Sequence, residues 1–304
     1  LLVSCFPASA NGLLSITQMT LSQNGRLMGI IILAILGLTF ANFLLLERTR
    51  SLKRAVDRTI RAASIRLSCD TLSAHKAPKL LVIIPALNEE ENIGELLAEM
   101  PTEVCGLHTS VLVVDDGSSD NTAEIARKGG ALVVSSLFNR GQGSASRIGY
   151  DVARGIGAKV CATMDADLQH RPEDLERVVE PVVRDDADLV IGSRILGSGE
   201  KGSIVRKLGI GWLSRMVSIM AGQRITDVSS GFKAFRVSEL SGLEFAEDQF
   251  QAAEVLILSM RRGLRIRECP IVIRERAHGH SKKGHDLRYG VGFLRSIIRA
   301  WWRS

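Results

Sequence analysis

LLVIIPALNEEENIGELLAEMPTEVCGLHTSVLVVDDGSSDNTAEIARK, Leu80–Lys128, is the stretch whose reading decides the fold. It holds two short apolar, β-branched runs, Leu80–Pro85 and Ser110–Asp115, each followed by a polar turn. Helical composition rich in Ala, Leu, Glu and Arg then fills residues 88–100 and 120–128. Working outward, the pattern repeats. Ala131–Ser135, Lys159–Asp165 and Ala187–Ile191 read as strands, and residues 143–155 and 172–184 as helices. Strand–helix repetition of this kind predicts an α/β fold, a mostly parallel sheet with helices on both faces. In such sheets ligands bind beyond the carboxyl ends of the strands.

Those strand ends are polar. They read PALNEEENI (Pro85–Ile93), VVDDGSSDNT (Val113–Thr122), NRGQGSASRIG (Asn139–Gly149), MDADLQHRPEDL (Met164–Leu175) and IGSR (Ile191–Arg194). Each has an ordinary reading by itself: a helix N-cap, an acidic first turn, a glycine turn. Five of them at one sheet edge point instead to a polar ligand. Asp165-Ala166-Asp167-Leu168-Gln169 is the sharpest piece, because two carboxylates one residue apart at a strand end can turn toward one hard cation. Mg2+ or Mn2+ takes oxygen ligands and keeps positions open for substrate phosphates.

Before this region lies an uncharged run of 20 residues, Leu27–Leu46. At about 1.5 Å per residue it reaches roughly 30 Å, the hydrocarbon thickness of a bilayer. Arg26 alone precedes it, whereas Arg48, Arg50, Lys53, Arg54, Arg58 and Arg61 follow, so the positive-inside rule puts the remainder of the chain in the cytoplasm. The expected organisation is a segment of no assigned role (1–26), a transmembrane helix (27–46), a basic juxtamembrane helix and linker (47–78), a catalytic domain (79–283) and a C-terminal amphipathic helix (284–304). The expected location is the cell membrane, spanned once. Residues 47–79 carry nine Lys/Arg against three acids, residues 80–254 carry 17 against 27, and residues 255–304 carry 12 against three. The net charge of +6 is thus an acidic body between two basic flanks, which suits an anionic membrane surface or a phosphate-bearing substrate rather than nucleic acid. Five scattered cysteines without a CxxC pair exclude a disulfide scaffold and a zinc site.

Near the end, Glu268–Arg274 reads as a strand and ERAHGHSKK (Glu275–Lys283) as a basic loop hinged at Gly279. His278 and His280 read as solvated loop histidines, not metal ligands. Leu287–Trp302 places Leu287, Val291, Leu294, Ile298 and Trp301 on one helix face, which fits either an interfacial anchor or core packing.

PALNEE, VVDDGSSD, MDADLQH, IGSR, TDVSSGFKAFR and RAHGHSK, in this order, resemble the polyprenyl-phosphate (dolichol-phosphate-type) hexosyltransferases of glycosyltransferase family 2. The resemblance runs from about Lys79 to Lys283. It implies the GT-A fold, a nucleotide-diphosphate sugar donor such as GDP-mannose or UDP-glucose, a divalent cation, a polyprenyl or dolichyl phosphate acceptor, and transfer with inversion. A homo-oligomer is compatible with it. Carried over by position, Pro85, Leu87, Glu89, Val114 and Asp116 are implied to hold the base and ribose. Asp165, Asp167 and Gln169 are implied as metal ligands, with Ala166 beside them at the donor diphosphate. Arg194 and Arg206 are implied at the acceptor phosphate, Arg276 and Lys282 at phosphates from a closing loop, and Asp227 and Glu254 in sugar positioning. The sequence departs from the family at Leu87, where an aromatic residue is common, at Ile210, where some members have serine, and at Arg171, which replaces a proline.

The chemistry divides the alternatives. A lipid monophosphate is already a nucleophile at neutral pH and needs its charge screened rather than a base. A hydroxyl acceptor needs a carboxylate base, and Glu247, Asp248 and Glu254 lie in the right later region. Processive polysaccharide synthases are disfavoured because no QxxRW motif occurs. A non-catalytic nucleotide-sugar-binding subunit would have no need of the intact Asp165/Asp167/Gln169 set.

Overall fold

The computed structural model describes residues 23–68, 78–198, 204–275 and 286–303. The chain divides into two compact units, the second beginning at Arg58.

In the first unit lies most of helix α1 (Gln23–Leu67). Its apolar part is long enough to cross a membrane and none of that window is buried. The sequence predicts a separate juxtamembrane helix after Leu46, but α1 runs on without a break. Residues 47–67 contain neither Gly nor Pro and are rich in Arg, Lys, Ala and Leu, so nothing stops helix propagation.

In the second unit, the last turns of α1 are fastened to its body. Arg61 Nη1 donates to Asp151 Oδ2 at 2.7 Å, Ser64 is buried, and Ile65 packs on the core. The elements that follow are β1 (Leu80–Ala86), α2 (Glu90–Glu99), β2 (Glu103–Val104), β3 (Leu107–Asp115), α3 (Thr122–Lys128), β4 (Leu132–Ser135), α4 (Gln142–Gly155) and β5 (Val160–Thr163). Then come a 3-10 turn (Pro172–Asp174), α5 (Leu175–Val183), β6 (Leu189–Ser198), α6 (Ile204–Ala221), β7 (Lys233–Arg236), a second 3-10 turn (Val237–Leu240), α7 (Gln251–Arg261), β8 (Ile266–Val272) and α8 (Asp286–Arg303).

The strands line up as β4-β3-β1-β5-β7-β6-β8, with the short β2 antiparallel on the start of β3. The four-strand half β4-β3-β1-β5 is parallel throughout, as expected. Beyond it β7 runs antiparallel to both β5 and β6, so the sheet is mixed. Strand alternation explains why the apolar runs are unbroken. Leu81, Ile83, Leu112, Val114, Leu132 and Val134 face one core, while Leu80, Val82, Ile84, Val113 and Val133 face the other. Each such side chain, removed fully from water, contributes about 1.5–3 kcal/mol. Helix α4 lies close on β1, because a Cβ on Gly149 would come within 2.3 Å of Ile83 Cγ2.

Helix α8 resolves the two readings of its sequence toward packing. Phe293, Ile297 and Ala300 are buried, Phe293 meets Phe250 edge-on, and the Arg261 guanidinium sits over the Trp301 ring at 4.7 Å. The buried stripe is rotated from the predicted one, and Val291, Ile298 and Trp302 remain exposed.

Candidate active site

The carboxyl ends of β1, β3 and β5 meet the amino end of α4 at one edge of the sheet. At β3, Asp116 N–H donates to Ala86 O at 2.8 Å, and Asp115 Oδ1 accepts from Ser118 N–H. The Asp116 carboxylate accepts from Arg140 N–H at 3.1 Å and Gly141 N–H at 2.6 Å, which ties the turn before α4 to the end of β3. Burial pushes the Asp116 carboxyl up to about 6, only partly offset by those two N–H groups. Across the gap, Asn88 Oδ1 accepts from Ser119 N–H, Glu89 N–H donates to Thr122 Oγ1, and Glu89 Oε2 accepts from Asn92 Nδ2. The two polar turns after β1 and β3 therefore form one interlocked rim.

After β5, the chain turns at Asp165–His170, with Leu168 at φ +60°. Asp165 N–H donates to His170 Nδ1, and Asp167 Oδ1 accepts from Gln169 N–H, both at 3.2 Å. Asp165 Oδ1 also accepts from Gln142 Nε2 at 2.6 Å, so the first carboxylate of the pair touches the first residue of α4. On its other side lies Gly231, where a Cβ would stand 2.7 Å from Asp165 Oδ1. No group of three or more His, Cys, Asp or Glu able to hold a metal forms among the described residues. Two carboxylates and an amide, all oxygen donors, still fit Mg2+ or Mn2+ held partly by substrate phosphates. They do not fit a cation held by protein alone.

Below the pair lies a charged floor delivered by β7. Pairing of Thr163 with Lys233 brings the buried Lys233 under the turn, where its Nζ donates to Ser230 O at 2.6 Å. Burial pushes Lys233 down to about 8, against the pull of Asp165 and Asp227. Arg194 donates from Nε (2.7 Å) and Nη2 (2.8 Å) to the two oxygens of fully buried Asp227. Burial alone would raise Asp227, yet its hydrogen bonds and charge pairing with Arg194 leave it below the ordinary carboxylate range. Glu268 in turn accepts from the N–H groups of Thr226 and Asp227.

A second set of carboxylates belongs to the segment before α7. Glu254 has no solvent exposure, and its two oxygens accept from Ala246 N–H (2.8 Å) and Glu247 N–H (2.9 Å). Asp248 Oδ1 accepts from Arg147 Nη2 at 2.6 Å, with Arg147 itself 2% exposed. Glu247 carries Arg147 Nη1 on its carbonyl and lies 3.9 Å from Arg299. Gly143 N–H donates to Asp248 O, completing the attachment of this segment to α4.

Among the residues expected from sequence, Pro85 and Asp165 line one cleft, together with Gln142, Lys233, Gln249 and Gln251. Other expected residues take the following places in the fold. Val114 and Ala166 turn their side chains into the two cores, leaving only backbone for a ligand. Asp227 pairs with Arg194, and Glu254 accepts from two backbone N–H groups. Leu87 and Glu89 are half-buried at the rim and Gln169 half-buried on the turn. Arg206 lies in α6, but its side chain is outside the described residues, as are Arg276 and Lys282 altogether. The chain does leave β8 beside the carboxylate turn, since Arg274 N–H donates to Gln169 O at 2.9 Å. Lys233, Gln142 and Gln251 are missed by sequence reasoning. A lysine inside the apolar run GFKAF is the signal for Lys233; Gln251 carries none.

The model of the family described as Glycosyl transferase family 2 matches residues 81–242. The undecaprenyl-phosphate mannosyltransferase of Micrococcus luteus is 35% identical over 217 residues, covering 67% of this chain and 87% of that protein. The UDP-N-acetylglucosamine–dolichyl-phosphate N-acetylglucosaminyltransferase of Methanococcus voltae is 31% identical over 221 residues, covering 64% and 86%. In fold, the chain is similar to glucosyl-3-phosphoglycerate synthase from Mycobacterium tuberculosis, solved with Mn2+, UDP and glucosyl-3-phosphoglycerate. The TM-score is 0.59 at 22% identity, over 77% of this chain and 84% of that one.

Proposed function

This chain belongs to glycosyltransferase family 2 and has the GT-A fold, and from that premise we propose that it transfers a hexose, mannose or glucose, from a nucleotide-diphosphate sugar to a polyprenyl phosphate at the cytoplasmic membrane face. One observation carries the choice of acceptor. Glu254, Asp248 and Glu247, the carboxylates available to activate a hydroxyl, are bound to backbone amides, to Arg147 and near Arg299. A phosphate oxygen needs no such base. The names of the relatives agree on a polyprenyl phosphate and differ in sugar, which supports the acceptor class and leaves mannose or glucose to be decided by assay.

In this reading the rim at Pro85, Glu89 and Asp116 receives the nucleoside. Asp165, Asp167 and Gln169 would hold Mg2+ or Mn2+, and the cation would stabilise the charge developing on the leaving nucleoside diphosphate. Lys233, donating to the Ser230 carbonyl, and Arg194, paired with Asp227, fix the geometry of the floor. Arg206, Arg276 and Lys282 supply the cations that let the acceptor phosphate approach the donor. An acceptor oxygen then bonds to the anomeric carbon as the bond to the diphosphate oxygen breaks on the opposite side, inverting the centre. The exposed apolar run of α1 and the basic residues after it support a single membrane span with the catalytic unit on the cytoplasmic side.

The test is turnover of GDP-mannose and UDP-glucose with and without added polyprenyl phosphate, scored as radiolabel extracted into organic solvent. Lipid-dependent product is expected, and Arg206→Ala should raise the apparent KM for the lipid far more than for the nucleotide sugar. Transfer to a sugar hydroxyl with no lipid product would overturn the assignment.

A further inference from the structure

The cleft is charged at Asp165 and Lys233, but its wall toward α7 is not. Gln251, the first residue of α7, lines it and is only 7% exposed, yet its Nε2 has no hydrogen-bond partner. A buried amide donor without a partner costs free energy, and native structures rarely keep one without a use. Its surroundings say what it is kept for. Gln142 and Gln249 add two further neutral amides to the same cleft, and Phe250, edge-on to Phe293, adds an apolar face. Neutral amides suit uncharged oxygens that both donate and accept, and an aromatic face suits the C–H side of a pyranose ring. The position is also rigid. Glu254 holds Ala246 and Glu247 by their N–H groups, and Gly143 N–H holds Asp248 O, so Gln251 follows directly from a pinned segment.

We propose that Gln251 reads one hydroxyl of the transferred hexose, and that this amide sets which sugar the enzyme accepts. The proposal rests on the nucleotide-sugar donor assigned above and not on the identity of the acceptor.

Binding without any lipid tests it. GDP-mannose, UDP-glucose and the monodeoxy counterparts of each are titrated against the full chain and against Gln251→Met, a neutral replacement of similar size. In the wild type, one monodeoxy counterpart should bind about tenfold more weakly than its parent, the size of one lost hydrogen bond. In Gln251→Met the parent should weaken by that same factor while that one counterpart is unchanged. Gln251→Leu, with its melting temperature checked, should reproduce the pattern. Parent binding unaltered in both variants, or an equal loss for the parent and every counterpart, would overturn the proposal. Failure of the wild type to bind either nucleotide sugar would overturn the donor assignment with it, whereas a wrong acceptor would leave every arm of this experiment untouched.

Discussion

The carboxylates after β5 and those around the start of α7 are the same chemical groups put to opposite uses. Asp165 lines the cleft and accepts from the neutral amide of Gln142, with Asp167 two residues further along the same turn. Glu254 accepts from two backbone N–H groups and Asp248 from the buried Arg147. In the function proposed above, the first pair is a reagent and the second is a fastening. What separates them is which donors the fold brings to each carboxylate, not residue type.

The comparison breaks first at its reactive end. Asp167→Asn should lower transfer by at least roughly a thousandfold at saturating metal, because the second charged ligand is lost. Its melting temperature should stay within a few degrees of the wild type, and near wild-type turnover of the purified variant would remove Asp167 from the site.

Fastening carboxylates should fail in the other currency. Glu254→Ala leaves two N–H groups unsatisfied in a fully buried position and should cost about 2–4 kcal/mol in denaturant unfolding. Asp248→Asn keeps a hydrogen-bond acceptor for Arg147 and should leave the chemical step within about tenfold. A hundredfold loss of turnover in Asp248→Asn with unaltered stability would make it a base after all and erase the distinction.

Asp116 sharpens the contrast at its smallest scale. It is buried like Glu254 but has its carboxyl held up at about 6 by burial. Between pH 4 and 6 the unfolded chain releases this proton while the folded chain keeps it, so stability should fall as pH rises through that window. In the nucleotide-free protein, Asp116→Asn should flatten that part of the melting-temperature profile; an unchanged slope would mean that other groups produce it.

Much of this was legible along the chain, for reasons of short range. Apolar runs of strand length separated by helical stretches specify a parallel sheet buried on both faces, and the runs Leu80–Pro85 and Ser110–Asp115 fall within β1 (Leu80–Ala86) and β3 (Leu107–Asp115). The proposed cation site at Asp165-Ala166-Asp167 could be read because both carboxylates come from three consecutive residues. Leu27–Leu46 is legible as a candidate membrane span from its length and lack of charge, and it lies within α1. The boundary of α1 was not legible, since a change from apolar to basic residues alters the solvent of a helix without ending it.

What the tertiary structure decided depends on pairings across long separations. Lys233 lies under Asp165 because β7 enters antiparallel beside β5, a choice that nothing in KAFR dictates. Arg194 meets Asp227 over 33 positions, and Arg147 meets Asp248 over 101. Whether a carboxylate is a ligand, a base or a rivet is settled by which donors arrive from elsewhere in the fold. A sequence displays the acids, but only packing shows what each of them is already holding.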